Sequence, residues 1–102
     1  MRTYNVCMLR FEWDSSKDAV NRRRHGVSFE EALTAFYDEF ARIIYDPDHS
    51  KDEERFILLG MTIKSRLLVV CHCYRQDNQV IRMFSARKAN REEIAEYEGF
   101  KS

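Results

Sequence analysis

Between Arg55 and Ser85 three apolar runs follow one another with almost nothing between them. Residues 55–62, 66–74 and 80–85 read as strands, and the links 63–65 and 75–79 are only three and five residues long. A crossover to a parallel neighbour takes about a dozen residues or more, so links this short force antiparallel pairing. Asp77 and Asn78 supply turn residues in the longer link. A meander of this kind needs a layer over its apolar face, and the remaining sequence offers one.

Leu9-Arg10-Phe11-Glu12-Trp13 alternates apolar and polar residues, the mark of a short strand. Asp14 then stands at an N-cap, and Ala19, Val20 and Arg23 recur at helical spacing. Gly26 ends that helix where a left-handed cap costs least. Ser28 and Glu31 have the spacing of a capping box, and Val27 stands where a hydrophobic staple belongs. Phe29, Leu33 and Phe36 form the stripe of a second helix, with Ala32 beside it. Arg42-Ile43-Ile44-Tyr45 is a strand closed by Asp46-Pro47-Asp48-His49. From about Arg87 to Tyr97 the pattern is helical, with Ser85 as its cap. The order β-α-α-β-β-β-β-α predicts an α+β domain: an antiparallel four- to five-stranded sheet with two N-terminal helices and a C-terminal helix.

A length of 102 residues with 44% hydrophobic content suits one core, so 1–102 reads as a single domain with 1–8 as a possible extension. No apolar run approaches the roughly 18–20 residues that span a membrane, and residues 1–8 lack a signal-peptide core. A cytoplasmic protein is expected. Cys71 and Cys73 are two apart in a strand, so they share a face and do not easily bridge. His72 between them points the other way and no second ligand pair exists, so neither metal nor cofactor is expected.

Seventeen basic and seventeen acidic residues cancel, but unevenly along the chain. Residues 26–60 hold nine acids against three bases, whereas 61–91 hold seven bases against Asp77 alone. Such a split suits either a basic face toward a polyanion or ordinary solvated charge.

Arg22-Arg23-Arg24-His25-Gly26-Val27-Ser28 raises the sharpest question. Cations in the last turn of a helix suit its dipole without any function. Yet a second helix starts at once, and its N-terminus would offer unpaired N–H groups to a phosphate beside His25. Histidine is the side chain whose charge changes near neutral pH, so proton transfer there is open. Arg82 alternates with Val80 and Phe84 and so shares their face; it needs an anion or a carboxylate, with Glu12 and Glu98 as candidates. Arg87 in the first turn of a helix opposes its dipole. Arg55, Arg66 and Arg75, at strand ends, can line one face with Arg82. No P-loop, dinucleotide fingerprint, Gly-x-Ser-x-Gly or carboxylate cluster for magnesium is present.

Phe11-Glu12-Trp13-Asp14, Lys17, Asn21 and the run from His25 to Ala32 resemble the opening of the BrnT family, toxins of type II toxin–antitoxin pairs. Asp46-Pro47, Arg55-Phe56, Gly60, Leu68-Val69-Val70, Ile81-Arg82, Ser85-Ala86-Arg87, Ala89, Glu93 and Tyr97-Glu98 match later blocks. Arg24 stands where lysine is common, and Met83-Phe84 where isoleucines are common. Residues 1–7 precede the usual start, which makes Met8 a candidate initiator. The resemblance implies a RelE-like fold and a metal-independent ribonuclease acting by 2′-hydroxyl attack. It also implies a BrnA-type antitoxin with a ribbon-helix-helix part, through which alone the pair meets operator DNA. By position it assigns catalysis to His25, Arg82 and Arg87, and substrate binding to Arg55, Arg66, Lys17, Ser85 and Tyr97, with Tyr97 or Glu98 as proton-transfer partner of His25. The alternative is a non-catalytic RNA- or protein-binding module in a repressor complex.

Overall fold

The structure, a computed structural model, describes residues 2–6 and 9–101. Among these, six strands form one sheet in the order β1-β2-β6-β5-β4-β3. They are β1 (Arg2–Val6), β2 (Leu9–Trp13), β3 (Arg42–Tyr45), β4 (Phe56–Met61), β5 (Leu67–Arg75) and β6 (Val80–Lys88). The helices are α1 (Ser15–His25), α2 (Phe29–Thr34) and α3 (Arg91–Lys101). The α+β class and the antiparallel β3–β6 meander agree with the sequence. The sheet nevertheless has one strand more than expected, because Arg2–Val6, set apart as an extension, pairs with β2. Met8 lies outside the described residues. One pair is parallel: β2 meets β6 through the registers Phe11↔Ile81 and Glu12↔Arg82. The two α-helices and the meander that separate them in sequence make that crossover long enough.

Period-two alternation divides the apolar residues between the faces of the sheet. Phe11, Trp13, Leu58, Leu68, Val70, Ile81 and Met83 pack under α1 and α2 with Val27, Phe29, Ala32 and Leu33. Leu59 and Val69 face the other way and pack with Tyr97 of α3. Caps set where the helices begin and end. Asp14 Oδ1 accepts from Ser16 N at 2.8 Å, and Gly26, with φ of 67°, donates its N–H to Arg22 O at 2.9 Å. Asn21 then fastens α1 to β6: its amide donates to Ala86 O at 2.7 Å and accepts from Ala86 N at 3.1 Å.

Two expectations at the C-terminal end change. Ser85 is not a helix cap and Arg87 is not in a helix; both lie in β6, which runs on to Lys88. The cap is Asn90, in reciprocal bonds with Glu93 at 2.8 and 2.9 Å. Sheet pairing to β5 outweighs the local capping pattern at Ser85. A bulge also interrupts β6. Cys71 pairs with Ser85 and His72 with Met83, which leaves Phe84 without a partner on β5.

His72 is fully buried, with ring nitrogens 3.1 Å from Val70 O and 3.2 Å from the Tyr74 hydroxyl. Burial lowers its pKa from 6.5 to about 4. The fold therefore holds the neutral ring, while the unfolded chain takes a proton below pH about 6.5. Stability linked to His72 is full above that pH and falls as pH drops toward 4, by roughly 3 kcal/mol in total. Urea unfolding of wild type and His72→Gln at pH 7 and pH 4.5 should give a clearly smaller pH-dependent loss in the variant. Equal losses would remove His72 from the acid sensitivity.

Candidate functional site

On the α3 face, β4, β5 and β6 form the floor of an open concavity of about 340 Å³. Ile57, Val69 and Cys71 lie at its bottom; Lys17, Asp46, His49, Arg55, Ser85 and Arg87 stand around it. Four of the residues singled out in the sequence (Lys17, Arg55, Ser85 and Arg87) thus meet at one place, contributed by α1, β6 and the segment before β4.

Arg87 is held by α3. Its guanidinium donates to both carboxylate oxygens of Glu93 at 2.8 Å, which raises the guanidinium pKa and lowers that of Glu93. Arg55 lies over Phe84, its Cζ 3.8 Å from the ring centroid. Lys17 Nζ is 5.3 Å and Arg82 Cζ 6.0 Å from the same centroid. Arg82 also donates to Glu12 Oε1 at 3.3 Å, one of the two carboxylates the sequence offered. Glu12 and Glu53 continue a chain of charges: Arg75 lies 3.8 Å from Glu12 and 3.0 Å from Glu53, and Arg55 lies 3.7 Å from Glu53. Glu12 and Glu53 thus link Arg82, Arg75 and Arg55 in one chain of ion pairs.

His49 is the residue that sequence reasoning passed over. A 3₁₀ turn, Pro47–His49, follows β3 and brings its Nδ1 within 2.7 Å of Asp46 Oδ2. Asp46 is buried, whereas the His49 side chain is 65% exposed at the rim. Ser50 locks the turn, taking the Arg55 N–H at 2.9 Å and donating to Asp46 O. The available signal was a carboxylate and an imidazole three residues apart around a proline, in a segment read only as a turn.

The other assigned residues lie elsewhere. His25 ends α1 and borders a second concavity, of about 300 Å³, with Lys17, Val20, Arg24, Phe84 and Ser85. Lys17, Phe84 and Ser85 line both concavities. The expected phosphate site at the start of α2 is already occupied: Phe29 N donates to Asp18 Oδ1 at 2.9 Å and Glu31 N to Ser28 Oγ at 3.1 Å. Only half the capping box forms, because the Glu31 carboxylate turns to Thr62 and Arg66. Arg66 gives that carboxylate two bonds, from Nε at 2.8 Å and from Nη2, and donates a third to Gly26 O at 3.0 Å. It is thereby tied into the fold rather than into the concavity. Tyr97 is buried in the α3 layer, its hydroxyl donating to Asp38 Oδ2 at 2.6 Å. Burial, then Asp38, raises its pKa, so neither access nor acidity suits it to proton transfer. Among the described residues, no three His, Cys, Asp or Glu side chains converge as metal ligands. Nor is any described helix long and apolar enough to cross a membrane.

Fold and site together define a small α+β protein with a cationic concavity rimmed by an Asp–His pair. The sequence profile of a family described as the ribonuclease toxin, BrnT, of type II toxin–antitoxin systems matches residues 13–93, and the chain belongs to that family. Membership implies an antitoxin partner and an RNA target. The crystal structure of the Brucella abortus ribonuclease toxin BrnT shares the fold, with a TM-score of 0.52 and 21% identity. The match covers 78% of this chain and 94% of that one. No curated protein matches the chain in sequence.

Proposed function

We propose that the chain is an endoribonuclease that cuts RNA without a metal ion, by attack of a ribose 2′-hydroxyl on the adjacent phosphorus, in the concavity of His49, Arg55 and Arg87. The observation that carries this reading is the 2.7 Å contact between Asp46 and His49 at the edge of a cluster of cations. A neutral imidazole whose Nδ1–H donates to a carboxylate leaves Nε2 as the basic nitrogen. His49 then takes the 2′-hydroxyl proton. Lys17, Arg55 and Arg87 offset charge on the phosphorane oxygens. As the O2′–P bond forms the P–O5′ bond breaks, the departing 5′-oxygen takes a proton from water, and the products are a 2′,3′-cyclic phosphate and a 5′-hydroxyl end. Purified protein should generate those ends from single-stranded RNA in excess EDTA. Activity lost in EDTA and restored by magnesium, or 3′-hydroxyl products, would overturn the metal-free mechanism.

The partner in this reading is a BrnA-type antitoxin, acting with the toxin in the cytoplasm and carrying the operator-DNA contact of the pair. Its inhibitory segment lies over the same cations. From the concavity, Ile57 and Val69 lead into an apolar groove with Ile44 and Leu59, rimmed by Arg42, Glu93 and Glu96. Ile44 of edge strand β3 is about half exposed there. A segment with acidic residues over Arg55 and Arg87 and apolar ones over Ile44 fits this path.

A further inference from the structure

The two concavities meet at Phe84, and their walls differ in chemistry. The one with Arg55, Arg87 and His49 has a cationic rim, suited to a phosphodiester. The one behind it has two apolar surfaces, Phe84 on β6 and Val20 on α1, with Lys17, Arg24 and His25 around them. Val20 is 43% exposed, an apolar side chain left open toward solvent beside a half-buried aromatic ring. Apolar faces with polar groups at the edge are what a nucleobase requires. Proteins read single-stranded RNA by stacking splayed bases on aromatic rings and guanidinium planes.

The backbone places Phe84 for this. It is the extra residue of the β6 bulge, outside the β5 register, and bulges redirect side chains beside sites. Asn21 fixes the distance between the two walls by bonding α1 to Ala86, two residues after Phe84. Three cations surround the ring, at 3.8, 5.3 and 6.0 Å, a cluster that draws in the backbone of the strand whose base is to stack.

We infer that the concavity between α1 and β6 is a nucleobase subsite, in which a base of the RNA strand stacks on Phe84 against Val20 while the neighbouring phosphodiester lies among Arg55, Arg87 and His49. The subsite rests on the ribonuclease reading for its substrate. It assigns His25 to the edge of a bound base rather than to the reacting phosphorus.

The test uses the full chain and a short 2′-fluoro single strand, which cannot be cut by 2′-hydroxyl attack. Affinity is measured by fluorescence anisotropy for the intact strand and for strands abasic at one position each. At one position the wild type should lose roughly 5- to 150-fold. Phe84→Leu and, separately, Val20→Asp should bind the intact strand as weakly as that abasic one and show no further loss. Circular dichroism confirms that each variant is folded, and Val20, being exposed, tolerates exchange. His49→Ala should keep the abasic penalty. A wild type that binds no strand or shows no abasic penalty overturns the subsite, as does a penalty that survives in both variants. Cleavage of the matching all-ribose strand is scored separately. A base penalty without cleavage keeps the subsite and refutes the nuclease reading; cleavage without a penalty does the reverse.

Discussion

His49→Ala should lower the rate of RNA cleavage by roughly 10²–10⁴-fold, the contribution of a positioned proton-transfer group. The fold should persist at a modest cost in stability. The imidazole is 65% exposed, but its removal deprives the buried Asp46 carboxylate of that contact, so circular dichroism of the variant accompanies the kinetics. Asp46→Asn should reduce the rate less than His49→Ala does. It removes the carboxylate that orients Nδ1, not the base itself. His25→Ala should act mainly on KM, since His25 borders the neighbouring concavity. Steady-state cleavage across a pH series separates these outcomes. A His49→Ala enzyme with wild-type kcat would remove the imidazole from the chemistry. A kcat loss in His25→Ala equal to that in His49→Ala would place both histidines at the reacting phosphorus.

Arg66→Ala should unfold the protein more than it disturbs RNA binding. The Glu31 side chain is 2% exposed; its charge is balanced by two bonds from Arg66, and it accepts a third from the Thr62 hydroxyl at 2.8 Å. The Arg66 guanidinium holds the Glu31 carboxyl below its usual range. Removing the arginine leaves a buried carboxylate with the hydroxyl as its remaining side-chain donor, a cost of roughly 3–5 kcal/mol. Against a total stability of about 5–15 kcal/mol for a small domain, that is a large share. Replacing both residues, Glu31→Leu with Arg66→Met, should cost much less, because no charge is stranded. Urea unfolding of the single and double variants decides the matter. A loss under about 1 kcal/mol in Arg66→Ala would show that Arg66 is free to serve a ligand instead.

The sequence by itself settled what depends on neighbours along the chain. Short links forced the antiparallel meander, Asp14 and Gly26 bounded α1, and alternation over Leu9–Trp13 marked β2. It also supplied the family, since ordered blocks survive where single motifs are weak. Lys17, Arg55, Ser85 and Arg87 were named in advance, and the fold gathers them. Why they gather was not legible. Strict alternation from Ile81 would send Ser85 and Arg87 toward the helices; one unpaired residue at Phe84 reverses the sense, burying Ala86 and turning Arg87 outward. A bulge arises from pairing with β5, and nothing local announces it. Glu31 looked like half of a capping box, but a buried carboxylate seeks the strongest donor in reach, and that is Arg66, 35 residues away. Asp46 and His49 looked like a turn because their value lies in facing Arg55 and Arg87, a juxtaposition made only when β3, β4 and β6 share one sheet.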